Sequence, residues 1–168
     1  MRRALFAATL FSAAIHFTIF GSPVQAREPS LTGYQPGTIV VETSARRLHL
    51  VLNGGQLISY PVAVGKPGKQ WTGATYIEGK FIQPAWTPPA EIKANKPDTP
   101  DIIPAGSPAN PMGAAAMTLS GGEYAIHGTN NPNSIGRFAS YGCIRMHNRD
   151  ILDLYSRVDV GTRVLVLR

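Results

Sequence analysis

Arg47-Leu48-His49-Leu50-Val51-Leu52-Asn53-Gly54-Gly55 decides the architecture. Leu48, Leu50 and Leu52 alternate with other residues, which is the period-two pattern of a strand with one face in a core. Asn53-Gly54-Gly55 then supplies residues that tolerate positive φ, as a tight hairpin turn requires. The return strand is expected over residues 56–64, with Pro61 marking an edge or a bend because it has no amide to donate. Upstream, Thr38-Ile39-Val40-Val41-Glu42-Thr43 is equally strand-prone. Together these segments predict an antiparallel meander.

Beyond the meander the pattern changes. Residues 65–113 are rich in proline and glycine, with a strand-prone patch at residues 75–83. Pro84-Ala85-Trp86-Thr87-Pro88-Pro89 cannot sustain a helix, since proline lacks the amide and restricts its predecessor. Residues 90–110 read as a long irregular excursion, either a flap beside the active site or an insertion packed on the sheet. Residues 114–119 and 124–126 read as core strands joined by Ser120-Gly121-Gly122. One clear helix follows: Ile151, Leu154, Tyr155 and Val158 recur at helical spacing, with Asn148 or Asp150 available to cap it. Gly161 ends that turn and residues 162–168 close the domain as a strand. The fold expected is mainly β with one helix.

The N-terminus carries a different signal. Met1-Arg2-Arg3 is a short basic start, residues 4–20 are almost wholly apolar, and Val24-Gln25-Ala26 places small residues where a signal peptidase reads. Residues 1–26 are therefore expected to be a signal peptide and residues 27–37 a short leader, with one domain over residues 38–168. An uncleaved anchor is the competing reading; the apolar run is marginal for a span and contains His16. No cysteine lies near the cleavage point, which excludes a lipoprotein anchor. The expected location is the periplasm or its equivalent. Removal of Arg2 and Arg3 with the signal lowers the formal net charge from +6 to +4. A mildly basic surface suits an anionic cell-wall polymer without requiring one. The scattered Lys and Arg, without interleaved aromatics, give no nucleic-acid footprint.

Cys143 is the only cysteine, in Ser140-Tyr141-Gly142-Cys143-Ile144-Arg145-Met146, shortly after Ile126-His127-Gly128-Thr129. An exported chain with one thiol makes no internal disulfide and exposes that thiol to oxidants. A thiol of ordinary pKa is only about a few per cent thiolate at pH 7. An adjacent imidazole raises that fraction by holding an ion pair, and later protonates a leaving amine. His127 stands where a strand gives way to a loop, and Gly142 lets the chain turn sharply before the thiol. The N–H groups of Gly142 and Cys143 are candidate oxyanion donors. Arg145 is a candidate clamp for a substrate carboxylate.

Each residue also has a plainer reading. A lone cysteine is often a small buried apolar residue. Arg145 could be a solvated charge or an ion-pair partner of Asp150 or Asp153. Cys143 and His147 have ligand-like spacing, with His127 and His49 in reserve, but zinc ligands usually come in tighter paired spacings. The expectation is therefore no metal and no cofactor.

His127-Gly128-Thr129, with Ser140-Tyr141-Gly142-Cys143-Ile144-Arg145-Met146 and Asp150, resembles the signature of the L,D-transpeptidase (YkuD) catalytic domain. Tyr60-Pro61-Val62-Ala63-Val64-Gly65-Lys66, Pro84-Ala85-Trp86-Thr87-Pro88-Pro89, Asn110-Pro111-Met112-Gly113 and Gly161-Thr162-Arg163-Val164 extend the likeness, so that it covers residues 38–168. The resemblance implies a β-sandwich-like domain acting on peptidoglycan stem peptides. In that family a cysteine attacks the carbonyl of the third stem residue and expels the terminal D-alanine. The thioester then passes to an amine of another stem, forming a 3→3 cross-link, or to a lysine of an envelope protein. Carried over by position, Cys143 is the nucleophile and His127 its base, with Ser140, Tyr141, Gly142 and Arg145 on active-site positions. A thiol hydrolase and a weakly catalytic wall-binding module are the other functions the same scaffold admits.

Two departures stand out. Most members have histidine where this chain has Tyr141, which donates a hydrogen bond but carries no proton charge near neutrality. The expectation is that the nucleophile and base persist while acceptor binding or rate changes. Trp71-Thr72-Gly73-Ala74-Thr75 replaces the family's threonine-proline turn, a change expected to affect a turn more than chemistry.

Overall fold

In the computed structural model, residues 33–122 and 124–168 are described. The meander forms as its pattern dictates: β1 (Ile39–Glu42) pairs antiparallel with β2 (Arg47–Val51), and β2 with β3 (Leu57–Gly65). Gly54 (φ 72) and Gly55 (φ 75) occupy the left-handed positions of the connecting turn. Leu48 and Leu50 are buried, as alternation requires, but so are His49 and Val51 on the other face. Val40 and Val51 pack there with Tyr34, Leu57 and Leu167 in a small second cluster.

β4 (Gly73–Ile82), β5 (Ala115–Leu119), β6 (Ala125–His127), β7 (Phe138–Ser140), β8 (Ile144–Met146) and β9 (Arg163–Leu167) complete the sheet. The strand order is β2-β1-β9-β4-β5-β6-β8-β3-β7, and β3 also pairs with β2. The sheet thus closes on itself, leaving no open edge between β2 and β3. Pro61 is where this closure happens. Residues 57–61 of β3 pair with β2, and Val62 and Ala63 pair with β8. The proline marks the strand bend that its missing donor predicts.

The main core fills the closed sheet with Ile39, Leu48, Val62, Met117, Ile126 and Val164, among others. α2 (Asn148–Arg157) buries Ile151 and Leu154 and packs on β5. Its spacing was legible; its cap was not. His147 precedes the first turn without a side-chain cap bond, and Asn148 is committed elsewhere.

The excursion contains a short helix that its sequence did not suggest, α1 (Ala90–Asn95), directly after Pro88-Pro89. Proline at a helix entrance is compatible with that start. The segment is pinned by a bridge between Trp86 and Ile103. The buried Asn110 amide reinforces it, donating to the carbonyls of Pro84 (2.8 Å) and Pro104 (3.1 Å). Lys69 and Glu91 pair at 2.7 Å between it and the β3–β4 turn. No helix among the described residues is long and apolar enough to cross a membrane. The expected signal segment, residues 1–26, lies outside the described residues.

Candidate active site

β6 and β8 run parallel with Ile126 opposite Ile144 and His127 opposite Arg145. Alternation sends both isoleucines into the core and puts His127 and Arg145 together on the other face. Cys143 enters β8 two residues before Arg145, so it faces the same way, across from Ala125, whose backbone draws the Cys143 pKa down. Sulfur and imidazole are therefore diagonal neighbours on one face. No direct hydrogen bond joins them: His127 Nδ1 donates to the Gly128 carbonyl at 2.7 Å, with the Pro111 carbonyl also against the ring.

That bond fixes the neutral tautomer with its proton on Nδ1, leaving the Nε2 lone pair as the base. Burial, followed by the charge of Arg145, lowers the His127 pKa to about 4. Burial raises the Cys143 pKa, against the opposing pull of the Ala125 amide and Arg145. Burial thus works against both charged forms, the thiolate and the imidazolium, and so against the ion pair expected from the sequence. Cys143 itself is partly exposed, so a carbonyl can reach it.

The turn that presents the thiol is held on every side. Ser140, almost fully buried, accepts the Gly142 N–H at 3.1 Å and donates to the Cys143 carbonyl at 2.6 Å. Gly142 sits at φ 125, and a Cβ there would lie 2.2 Å from Cε1 of Tyr124. Trp71 stacks on Tyr124, with ring centroids 5.1 Å apart, and its Nε1–H donates to the Gly142 carbonyl at 2.9 Å. One sequence expectation is narrowed here and one is corrected. The Gly142 N–H donates to Ser140 Oγ, whereas the Cys143 N–H has no acceptor among the described residues, which makes it the better-placed oxyanion candidate. The Trp71 departure reaches the nucleophile turn itself, through a long-range hydrogen bond that nothing in the local sequence encodes.

Tyr141 is half-buried, with Lys66 Nζ 3.7 Å from its ring centroid. Arg145 has no carboxylate partner among the described residues: Asp150 pairs with Arg149 and Asp153 with Arg157. Its buried Nε has no hydrogen-bond partner. The ion-pair reading of Arg145 is thereby overturned.

Asn148, expected only as a cap, has another task. Its Oδ1 accepts the N–H of Ala114 (3.1 Å) and of Thr129 (3.0 Å), tying the start of β5 to the loop after His127. Gly113 and Gly128 lie so close that an added Cβ would meet this oxygen at 2.2 and 2.3 Å. Beyond Asn148 a cavity of ≈ 490 Å³ is lined by Thr129, Asn130, Pro132, His147, Asn148 and Arg149. His49 belongs to β2, where Ser59 (2.7 Å) and Glu42 (3.1 Å) engage its two nitrogens. Among the described residues no three His, Cys, Asp or Glu side chains gather as metal ligands.

Fold and site together define a closed mainly-β domain that carries a thiol on a glycine turn, with a buried histidine on the neighbouring strand. The L,D-transpeptidase catalytic domain family model matches residues 36–166, and the chain belongs to that family. It is 42% identical over 135 residues to the "probable L,D-transpeptidase YbiS" of Escherichia coli K12, covering 75% of this chain and 43% of that protein. It is 40% identical over 134 residues to the "putative L,D-transpeptidase YkuD" of Bacillus subtilis, covering 79% and 67%. The chain thus spans less than half the length of the first of these relatives. Among solved structures, an L,D-transpeptidase from Mycobacterium smegmatis shares the fold with a TM-score of 0.62 at 18% identity, covering 78% of this chain and 58% of that one. L,D-transpeptidase 3 from Mycobacterium tuberculosis matches with a TM-score of 0.62 at 17% identity, covering 78% and 60%.

Proposed function

We propose that this protein is an exported cysteine L,D-transpeptidase acting on peptidoglycan tetrapeptide stems. The observation that carries the reading is the shared face of β6 and β8, which gathers Cys143, His127 and the unpaired Arg145 around a partly exposed sulfur. Arg145 receives a carboxylate of the incoming stem and places its third-residue carbonyl over Sγ. As the S–C bond forms, the thiol proton passes to Nε2 of His127 and the carbonyl electron pair moves to oxygen beside the Cys143 N–H. Collapse of this intermediate breaks the C–N bond, and the imidazolium returns its proton to the departing D-alanine amine. A thioester remains on Cys143. An acceptor amine, from a second stem or an envelope-protein lysine, attacks the thioester and gives its proton to His127, and the thiol is released.

Because burial disfavours both the thiolate and the imidazolium, proton transfer accompanies attack rather than preceding it. The route needs neither ATP nor a cofactor, which suits work outside the cytoplasm. Residues 1–26 are assigned as the export signal, residues 27–37 as a leader and residues 38–168 as the catalytic domain, placing the mature protein in the periplasm.

Intact-mass analysis after mixing with a disaccharide-tetrapeptide tests the reading. An acyl adduct on Cys143, absent in Cys143→Ala and strongly slowed in His127→Ala, supports it, with cross-linked dimers as the final product. Tripeptide alone as product would reassign the protein as a hydrolase. No adduct with any stem would remove the acyl-enzyme account.

A further inference from the structure

We propose that Trp71 is a positioning residue for catalysis, aiming the backbone N–H of Cys143 at the oxygen of the carbonyl under attack. This rests on the acyl-transfer reading above and adds to it a residue outside the cysteine and histidine segments. Trp71 lies between β3 and β4, 71 residues from the carbonyl it touches.

The argument begins with the peptide plane joining Gly142 to Cys143. In a trans peptide the carbonyl oxygen and the amide hydrogen point to opposite sides of one rigid plane. The oxygen of this plane accepts the indole Nε1–H of Trp71 at 2.9 Å. Fixing that oxygen fixes the direction of the Cys143 N–H. Rotation of the plane is further opposed on both flanks. Ser140 Oγ holds the Gly142 N–H on one side and the Cys143 carbonyl on the other. The Tyr124 ring, itself stacked on Trp71 at an interplanar angle of 8°, fills the space where a Cβ of residue 142 would lie.

The Gly142 amide already donates to Ser140, whereas the Cys143 amide, next to the sulfur, has no acceptor among the described residues and is available to a developing oxyanion. An oxyanion donor works only when it is held in place before charge develops. Without the indole donor, the Gly142–Cys143 plane loses the restraint on its carbonyl, and the Cys143 N–H is free to swing away from its target. The thiol is not displaced by this change, since the β6–β8 pairing that places it across from Ala125 is left intact.

Two reactions of Cys143 separate this role from a structural one. 4-Nitrophenyl acetate acylates the sulfur through a tetrahedral oxyanion, transferring acetyl to Sγ and releasing 4-nitrophenolate with the bonding pair, while the thiol proton passes to His127. Iodoacetamide alkylates the same sulfur by direct displacement of iodide, with no oxyanion. In Trp71→Phe, which keeps an aromatic ring against Tyr124 but lacks the donor, acylation is expected to slow about 10- to 100-fold. Alkylation should stay within about twofold of the parent across pH, because an unmoved thiol keeps its reactivity. Site-specific replacement of Trp71 by β-(3-benzothienyl)alanine, which has indole's shape without its N–H, should reproduce the split even where the phenylalanine variant folds poorly. Equal loss in both reactions would make Trp71 merely structural, and no loss in acylation would overturn the proposal outright. The tetrapeptide assay stays independent: an unreactive stem with a preserved acylation-alkylation split would reject the peptidoglycan reading and keep this one.

Discussion

His127 and Arg145 are register partners across the parallel β6–β8 pair, which sets a buried base and an unpaired cation side by side. A cation beside a base disfavours its protonation, and a cation beside a thiol favours the thiolate. Arg145→Gln should therefore raise the His127 pKa above its value of about 4 and raise the Cys143 pKa further. Imidazole NMR titration reads the first effect, and the pH profile of Cys143 alkylation, displaced to higher pH, reads the second. An unmoved imidazole titration would mean that the pair is electrostatically silent.

The same histidine makes the fold acid-sensitive. Its pKa is about 4 in the folded state against an ordinary 6.5, so between those values the unfolded chain binds the extra proton. Stability then rises with pH through that window and is lost as pH falls from 6.5 toward 4, by on the order of 3 kcal/mol. Denaturant titrations at pH 7 and pH 4.5 should show the loss, and His127→Gln should lose much less over the same interval. Equal slopes in the two proteins would locate the acid sensitivity elsewhere.

Gly142→Ala meets two obstacles at once. Its φ of 125 is strained for any L side chain, and its Cβ would lie 2.2 Å from the Tyr124 ring. The backbone part alone costs about 1–3 kcal/mol. Thermal unfolding should show a large drop in Tm. Adding Tyr124→Ala should recover only the steric part, leaving the double variant below Tyr124→Ala alone.

Asn148→Ala leaves the N–H groups of Ala114 and Thr129 without their acceptor. A loss of about 1–3 kcal/mol is expected, together with slower acylation, since Thr129 belongs to the loop that carries His127. Asn148→Asp keeps an oxygen in place and should recover most of both effects. If alanine and aspartate behave alike, the clamp contributes nothing to either property.

Tyr141 and Lys66 are joined by a cation–π contact, with Lys66 Nζ 3.7 Å from the ring centroid. Tyr141→His should leave acylation of Cys143 by a tetrapeptide little changed and shift the ratio of transfer to hydrolysis, read from the product mixture. A collapse of acylation itself would place Tyr141 in the first chemical step.

β1 to β6, β9, the hairpin turn and the second helix were legible because their signals are local, whereas the three-residue β7 and β8 carry no such signal. Leu48 and Leu50 alternate, Gly54 and Gly55 take positive φ, and Ile151 and Leu154 recur at helical spacing. The family signature was legible as well, since Gly142 and Cys143 are adjacent in the chain and the family model spans them. α1 escaped notice because six residues between prolines carry too little periodicity to register. The ring closure through β3, the face shared by His127 and Arg145, and the clamps from Trp71 and Asn148 depend on contacts between distant segments. So does the charge state of the site. Residue types name the thiol and the imidazole, but burial disfavours both charged forms while a cross-strand cation disfavours the imidazolium and favours the thiolate, and burial exists only once the chain has packed.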